Sequence, residues 1–161
     1  MRTIKSRLAA LLLAGLACGT AQAAPSWLAW EVAHGVAKRI HGGVAQVADT
    51  GSMEPAVTSD DLLVYIPARE ARAPRIGDIV IFKQPKYRDA ALGQYASDGY
   101  VAHRVTGYAE GGALVTKGDA NKNVDYSPVT VSSLIGVCVM VIHKDGVATQ
   151  LKIPDPILVA L

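Results

Sequence analysis

Cysteine is almost missing from this chain: 161 residues contain only Cys18 and Cys138. Cys18 belongs to an N-terminal export segment described below. Once that segment is removed, no internal disulfide can form, even in an oxidising compartment. Cys138 lies in the apolar run "LIGVCVMVI" and reads as a small buried hydrophobe. Cys and His occur nowhere at metal-ligand spacing, so neither a metal nor a cofactor is expected. Strong charge is lacking too. Sixteen Lys and Arg against fourteen Asp and Glu leave a net +2, with no basic stripe interleaved with aromatics, which argues against a nucleic-acid partner. No internal repeat or low-complexity tract is found, and no apolar run reaches the roughly 20 residues a spanning helix needs. Against these absences, 50% of the residues are apolar and 19% charged. That balance suits one β-rich domain and argues against disorder.

The N-terminus, "MRTIKSRLAALLLAGLACGTAQAAPS", has Arg2, Lys5 and Arg7, then an apolar run from Leu8 to Cys18, then small residues. Ala21-Gln22-Ala23 is an A-x-A cleavage pattern, and residues 1–23 read as a secretory signal peptide, with an uncleaved short anchor as the alternative. The expected location is therefore exported: periplasmic, or attached to the outer face of the cytoplasmic membrane. In residues 24–43, Leu28, Val32, Val36 and Ile40 recur at helical spacing, Ser26 can cap the helix, and Gly42-Gly43 can end it. This amphipathic helix can pack on the domain or contact a membrane surface. His34 and His41 read as solvated.

From Val44 to the end the pattern is mainly β. Strand candidates are "GVAQVAD", "DLLVYIP", "DIVIFK", "YVAHRVTGY", "ALVTKGD" and "SLIGVCVMVIH", separated by turn residues. Residues 83–99 are polar and read as an exposed loop or insertion. The tail "LKIPDPILVAL" reads as a last strand or an interfacial contact.

Three segments bear on chemistry. "TGSMEP" sets Ser52 in a turn, "VAHRVTGY" puts His103 in an otherwise apolar strand, and "TKGDANKNVDYSP" carries Asp119 and Asp125 in a loop. A serine hydroxyl needs a base before it can attack an amide. A histidine serves near neutral pH when a carboxylate on its other nitrogen fixes tautomer and orientation. Read without context, these residues are equally a turn serine, a core histidine and two turn acids. Arg104 and Lys117 read as solvated strand-end charges or partners of nearby acids, with Lys117 as an alternative base.

In order along residues 44–142, "GSMEP", "DLLVYIP", "IGDIVIF", "VAHRVTG", "TKGDANKNVD" and "LIGVCV" resemble type I signal peptidases. They are most similar to the subtype of the endoplasmic reticulum, archaea and spore-forming bacteria, in which histidine replaces the lysine base. The resemblance implies a signal-peptidase-like antiparallel β-domain over residues 44–161. It also implies Ser52 as nucleophile, His103 as general base and Asp125 as third member, with Asp119 as the alternative. Thr50 and the Ser52 backbone N–H would form the oxyanion site, while Met53 and Pro55 would shape the turn and flank the substrate cleft. The implied reaction is cleavage of exported precursors after small residues at −1 and −3, so the partners expected are protein or peptide substrates.

The pattern is broken at Asp60-Asp61, where relatives usually carry a glycine before the aspartate. A non-glycine there argues against φ > 0, and a different turn is expected. The usual membrane anchor is also missing or marginal. Three further readings accompany the main one. They are a specialised peptidase for one or a few partner proteins, a non-catalytic binding module on the same scaffold, and a self-cleaving repressor-type domain. The last normally uses a lysine base and a cytoplasmic DNA-binding domain.

Overall fold

The apolar segments named above pair into one antiparallel sheet. A computed structural model of the chain describes residues 25–84, 88–89, 94–95 and 99–151, with no side-chain description at 88–89 and 94–95. The signal peptide, most of the 83–99 segment and the tail beyond Leu151 lie outside the described residues. Helix α1 is Trp27–Arg39, and the strands are β1 Gly43–Gln46, β2 Leu62–Pro67, β3 Ile79–Lys83, β4 Arg88–Asp89, β5 Gln94–Tyr95, β6 Tyr100–Tyr108, β7 Leu114–Lys117, β8 Leu134–Ile142 and β9 Ala148–Gln150. The main sheet has the order β1-β2-β8-β3-β6-β7, and β4 pairs with β5 separately. The fold is mainly β, as expected.

β8 organises the sheet. One edge pairs with β2 from Gly136 to Ile142, through a register shift between Val64 and Tyr65. Its other edge is divided, with β3 against Leu134–Val137 and β9 against Met140–Ile142. Both faces are covered, which is why β2 and β8 read as near-continuous apolar runs rather than alternating ones. Leu62, Val64, Ile66, Val139 and Ile142 pack under α1. On the opposite face Leu63, Ile79, Ile81, Cys138 and Val141 pack against Met53 and Val57 from the β1–β2 connection. Burying each such side chain contributes on the order of 2 kcal/mol.

Two expectations about α1 need correction. Its buried stripe is Ala29, Ala33 and Ala37, with Val32, Val36 and Ile40 flanking it, and Leu28 is 45% exposed. Alanine carries no bulk at Cβ, so this face lies close on the sheet. The apolar-residue count alone pointed to the neighbouring face. Ser26 does cap the helix, its hydroxyl accepting from the Ala29 N–H at 3.1 Å, and Lys38 and Arg39 complement the dipole at the other end. The left-handed residue that ends the helix is His41 (φ 53°), not a glycine, and the Gly42 N–H closes the turn on the Ala37 carbonyl at 2.8 Å. Gly42 and Gly43 are required for a different reason: a side chain at either would collide with Tyr65.

The turn at Asp60-Asp61 is the second departure. Asp60 adopts φ 69°, so the left-handed geometry is retained without glycine. Aspartate is among the residues that tolerate it, and the surroundings hold it there. The Asp60 N–H donates to the Val47 carbonyl, and the buried Asp61 carboxylate accepts from the Thr58 N–H at 2.8 Å and the Thr58 hydroxyl at 3.0 Å. This turn closes the 47–61 connection, which folds back over the Leu63–Ile79–Ile81 face and carries Ser52 towards β6.

Candidate active site

Ser52 sits in a tight turn opened by Gly51 at φ 65°. Its carbonyl accepts the Ala120 N–H at 3.0 Å, and a side chain at Gly118 would strike that same carbonyl. The loop after β7 therefore clamps the serine backbone from behind, and Met53, 3% exposed, pins the turn into the core. The Ser52 hydroxyl is left facing β6.

His103 comes from the middle of β6, in register with Val80 of β3, and is 8% exposed. The edge of the Phe82 ring packs against its imidazole at 6.3 Å between centroids. Its Nε2 lies 3.1 Å from Ser52 Oγ, and its Nδ1 lies 2.8 and 2.9 Å from the two carboxylate oxygens of Asp125. A carboxylate can only accept, so the Nδ1 proton points at Asp125, and Nε2 is the acceptor for the serine hydroxyl. Asp125 is itself held at both ends by one residue: its N–H donates to the Thr116 carbonyl at 2.8 Å, and Thr116 Oγ1 donates to Oδ2 at 2.6 Å.

The other residues singled out from sequence fall into distinct places. Thr50 Oγ1 lies 3.3 Å from Ser52 Oγ and accepts the Ser52 N–H at 3.5 Å, so the two groups expected to meet an oxyanion are bonded to each other here. Asp119 does not reach His103. It takes the Arg104 guanidinium in a two-pronged ion pair at 2.6 and 2.8 Å, and Arg104 also donates to the Gly77 carbonyl at 2.8 Å. Arg104 is thus the partner of a nearby acid, and the Asp119 carboxylate, through its hydrogen bonds, raises the guanidinium above its ordinary pKa. Lys117, the alternative base, donates to the Asn121 carbonyl at 2.6 Å. Met53 lines the cleft described next, while Pro55 is exposed and lies outside its lining.

Beside Ser52 and His103 opens a cleft of about 340 Å³. Its floor is Leu63, Ile79 and Ile81, and its rims are the Ala45–Ala48 segment on one side and Tyr100–His103 on the other. β7 pairs with β6 only from Arg104 onwards, so among the described residues no strand pairs with that edge of the Tyr100–His103 stretch. Sequence reasoning missed Thr116, whose hydroxyl could have been weighed as a partner for the acid nine residues on. It also missed a second histidine–carboxylate pair. His143 Nδ1 lies 3.2 Å from Asp61 Oδ2, and its Nε2 lies 2.9 Å from Thr149 Oγ1. Burial raises the Cys138 thiol far above its ordinary pKa, so it is an inert core residue.

No protein-family model matches the chain, and no curated protein matches it. Among the described residues, no cluster of His, Cys, Asp and Glu could hold a metal ion, and no helix is long and apolar enough to cross a membrane.

Proposed function

We propose that the protein is a serine endopeptidase that processes exported precursor proteins at sites with small residues at −1 and −3. The observation that carries this reading is the continuous relay from Ser52 Oγ through His103 to Asp125, with contacts of 3.1 and 2.8 Å, opening on an apolar cleft. The resemblance of the same segments to type I signal peptidases supports the substrate class.

In this reading a peptide enters extended and adds as a strand to the open backbone edges beside the cleft, as β-edge recognition does elsewhere. The aliphatic floor favours apolar side chains, and the preference for small ones is what the resemblance implies. Ser52 Oγ attacks the scissile carbonyl while His103 Nε2 takes its proton. Asp125 holds the ring and stabilises the imidazolium formed. The Ser52 N–H turns from the Thr50 hydroxyl, and both donate to the oxyanion; one such donor is worth about 3 kcal/mol in the transition state. His103 then returns the proton to the leaving amine, and water, activated by the same imidazole, releases the acyl group. Export to the periplasm, or to the outer face of the membrane, belongs to the same proposal.

The test is product mapping. The purified protein is incubated with a peptide containing Ala-X-Ala, and the fragments are identified by mass spectrometry. Cleavage after the second alanine is expected, and replacing that alanine by phenylalanine should remove it. A folded protein that leaves the peptide intact contradicts the proposal.

A further inference from the structure

We propose that Thr116 is a positioning residue of the relay, acting through Asp125; this rests on the reading of Ser52 as nucleophile. Thr116 is 1% exposed, so its hydroxyl has no water to turn to. It lies on β7 in register with the buried Val105 of β6, one strand away from His103. Its hydroxyl can only donate to a carboxylate, and the 2.6 Å contact goes to Asp125 Oδ2, the oxygen that also sits 2.8 Å from His103 Nδ1. The chain of donors then has one direction: Thr116 O–H and His103 N–H both point at Asp125, and Ser52 O–H points at His103 Nε2. That direction is the one a general base requires.

The geometry separates this role from mere packing. The Asp125 side chain is 14% exposed, so a carboxylate freed of one donor has solvent into which to rotate. Its backbone stays fixed, because the Asp125 N–H bonds to the Thr116 carbonyl whatever side chain residue 116 carries. Thr116→Val keeps the shape and that backbone bond, and removes only the hydroxyl. Asp119, by comparison, is committed to Arg104 and can take no part in holding Asp125.

The experiment compares wild type, Thr116→Val and Thr116→Ser by two readouts. One is steady-state cleavage of an Ala-X-Ala peptide, corrected for folded protein. The other is the low-field proton resonance of His103 Nδ1–H, which needs no turnover. Thr116→Val should lower kcat by about tenfold or more and leave KM within about twofold, the scale of one hydrogen bond to a charged group. Thr116→Ser should restore both kcat and the resonance. A merely structural threonine would lower the melting temperature and leave kcat per folded molecule and the resonance unchanged. That result, or a serine variant as impaired as the valine, overturns the proposal. If the wild type does not cleave but the resonance moves in Thr116→Val and returns in Thr116→Ser, Thr116 still positions Asp125 and only the proposed reaction fails. If Thr116→Val does not fold, Thr116→Cys, which has the shape of Thr116→Ser but a much weaker donor, is compared with that serine variant instead.

Discussion

Two histidine–carboxylate pairs stand among the described residues, and they differ in what lies at each end. His103–Asp125 has both carboxylate oxygens within 2.9 Å of the imidazole nitrogen, a buried threonine behind the acid, and a serine hydroxyl in an open cleft ahead of the base. His143–Asp61 has a longer contact of 3.2 Å and ends on Thr149, a hydroxyl of the exposed strand β9. Its carboxylate is spent on the Thr58 turn through Oδ2, while the buried Oδ1 has no hydrogen-bond partner among the described residues. A histidine beside a carboxylate is therefore not in itself a site. The first pair is directed along one path of donors to a reactive group beside a cavity. The second braces the turn that forms part of the cleft wall through Thr58.

This contrast can be broken by substitution. The largest effect is expected for histidine: His103→Ala should lower kcat by about 10⁴-fold, while His143→Ala stays within about threefold in the same peptide-cleavage assay. Equal losses would show that the two pairs are not functionally distinct. Next come the acids. Asp125→Asn should cost about 10³-fold or more in kcat through loss of tautomer control, while Asp119→Asn, which touches the relay only through the Arg104 ion pair and the Ser52 loop, should cost less than about tenfold. A reversal of that order would move the third member of the relay to Asp119. The smallest effect on turnover is expected at Asp61. Asp61→Asn should lower stability by about 2 kcal/mol, read by urea unfolding, because a buried charged acceptor of two Thr58 donors is lost. Its kcat per folded molecule should remain close to wild type.

What was legible in the sequence follows from how each feature is encoded. Strands β2, β3 and β8 announced themselves because their apolar runs are nearly continuous, as covered sheet faces require. Ser52, His103 and Asp125 were legible as residue types in chemically sensible contexts, and the structure brings them together. The preference for Asp125 over Asp119 came from the resemblance, since both sit in one loop and only the position of Arg104 on the neighbouring strand shows which acid is occupied elsewhere. Asp60 was misjudged because φ preference at one residue is weaker than the hydrogen bonds from Asp61 and Val47 that fix the turn. The buried face of α1 was displaced by one residue because close helix–sheet contact selected alanine over the larger Leu28. β9 was missed because all three of its residues are exposed, so it carries no apolar signal.

The central claim is that Ser52 is a nucleophile activated by His103, and it is tested most directly by cleavage of one Ala-X-Ala precursor by wild type and by Ser52→Ala at equal folded concentration. The account predicts cleavage after the second alanine by the wild type, and a rate at least about 10⁴-fold lower for Ser52→Ala, whose melting temperature should match the wild type. Cleavage by Ser52→Ala at the wild-type rate would contradict it.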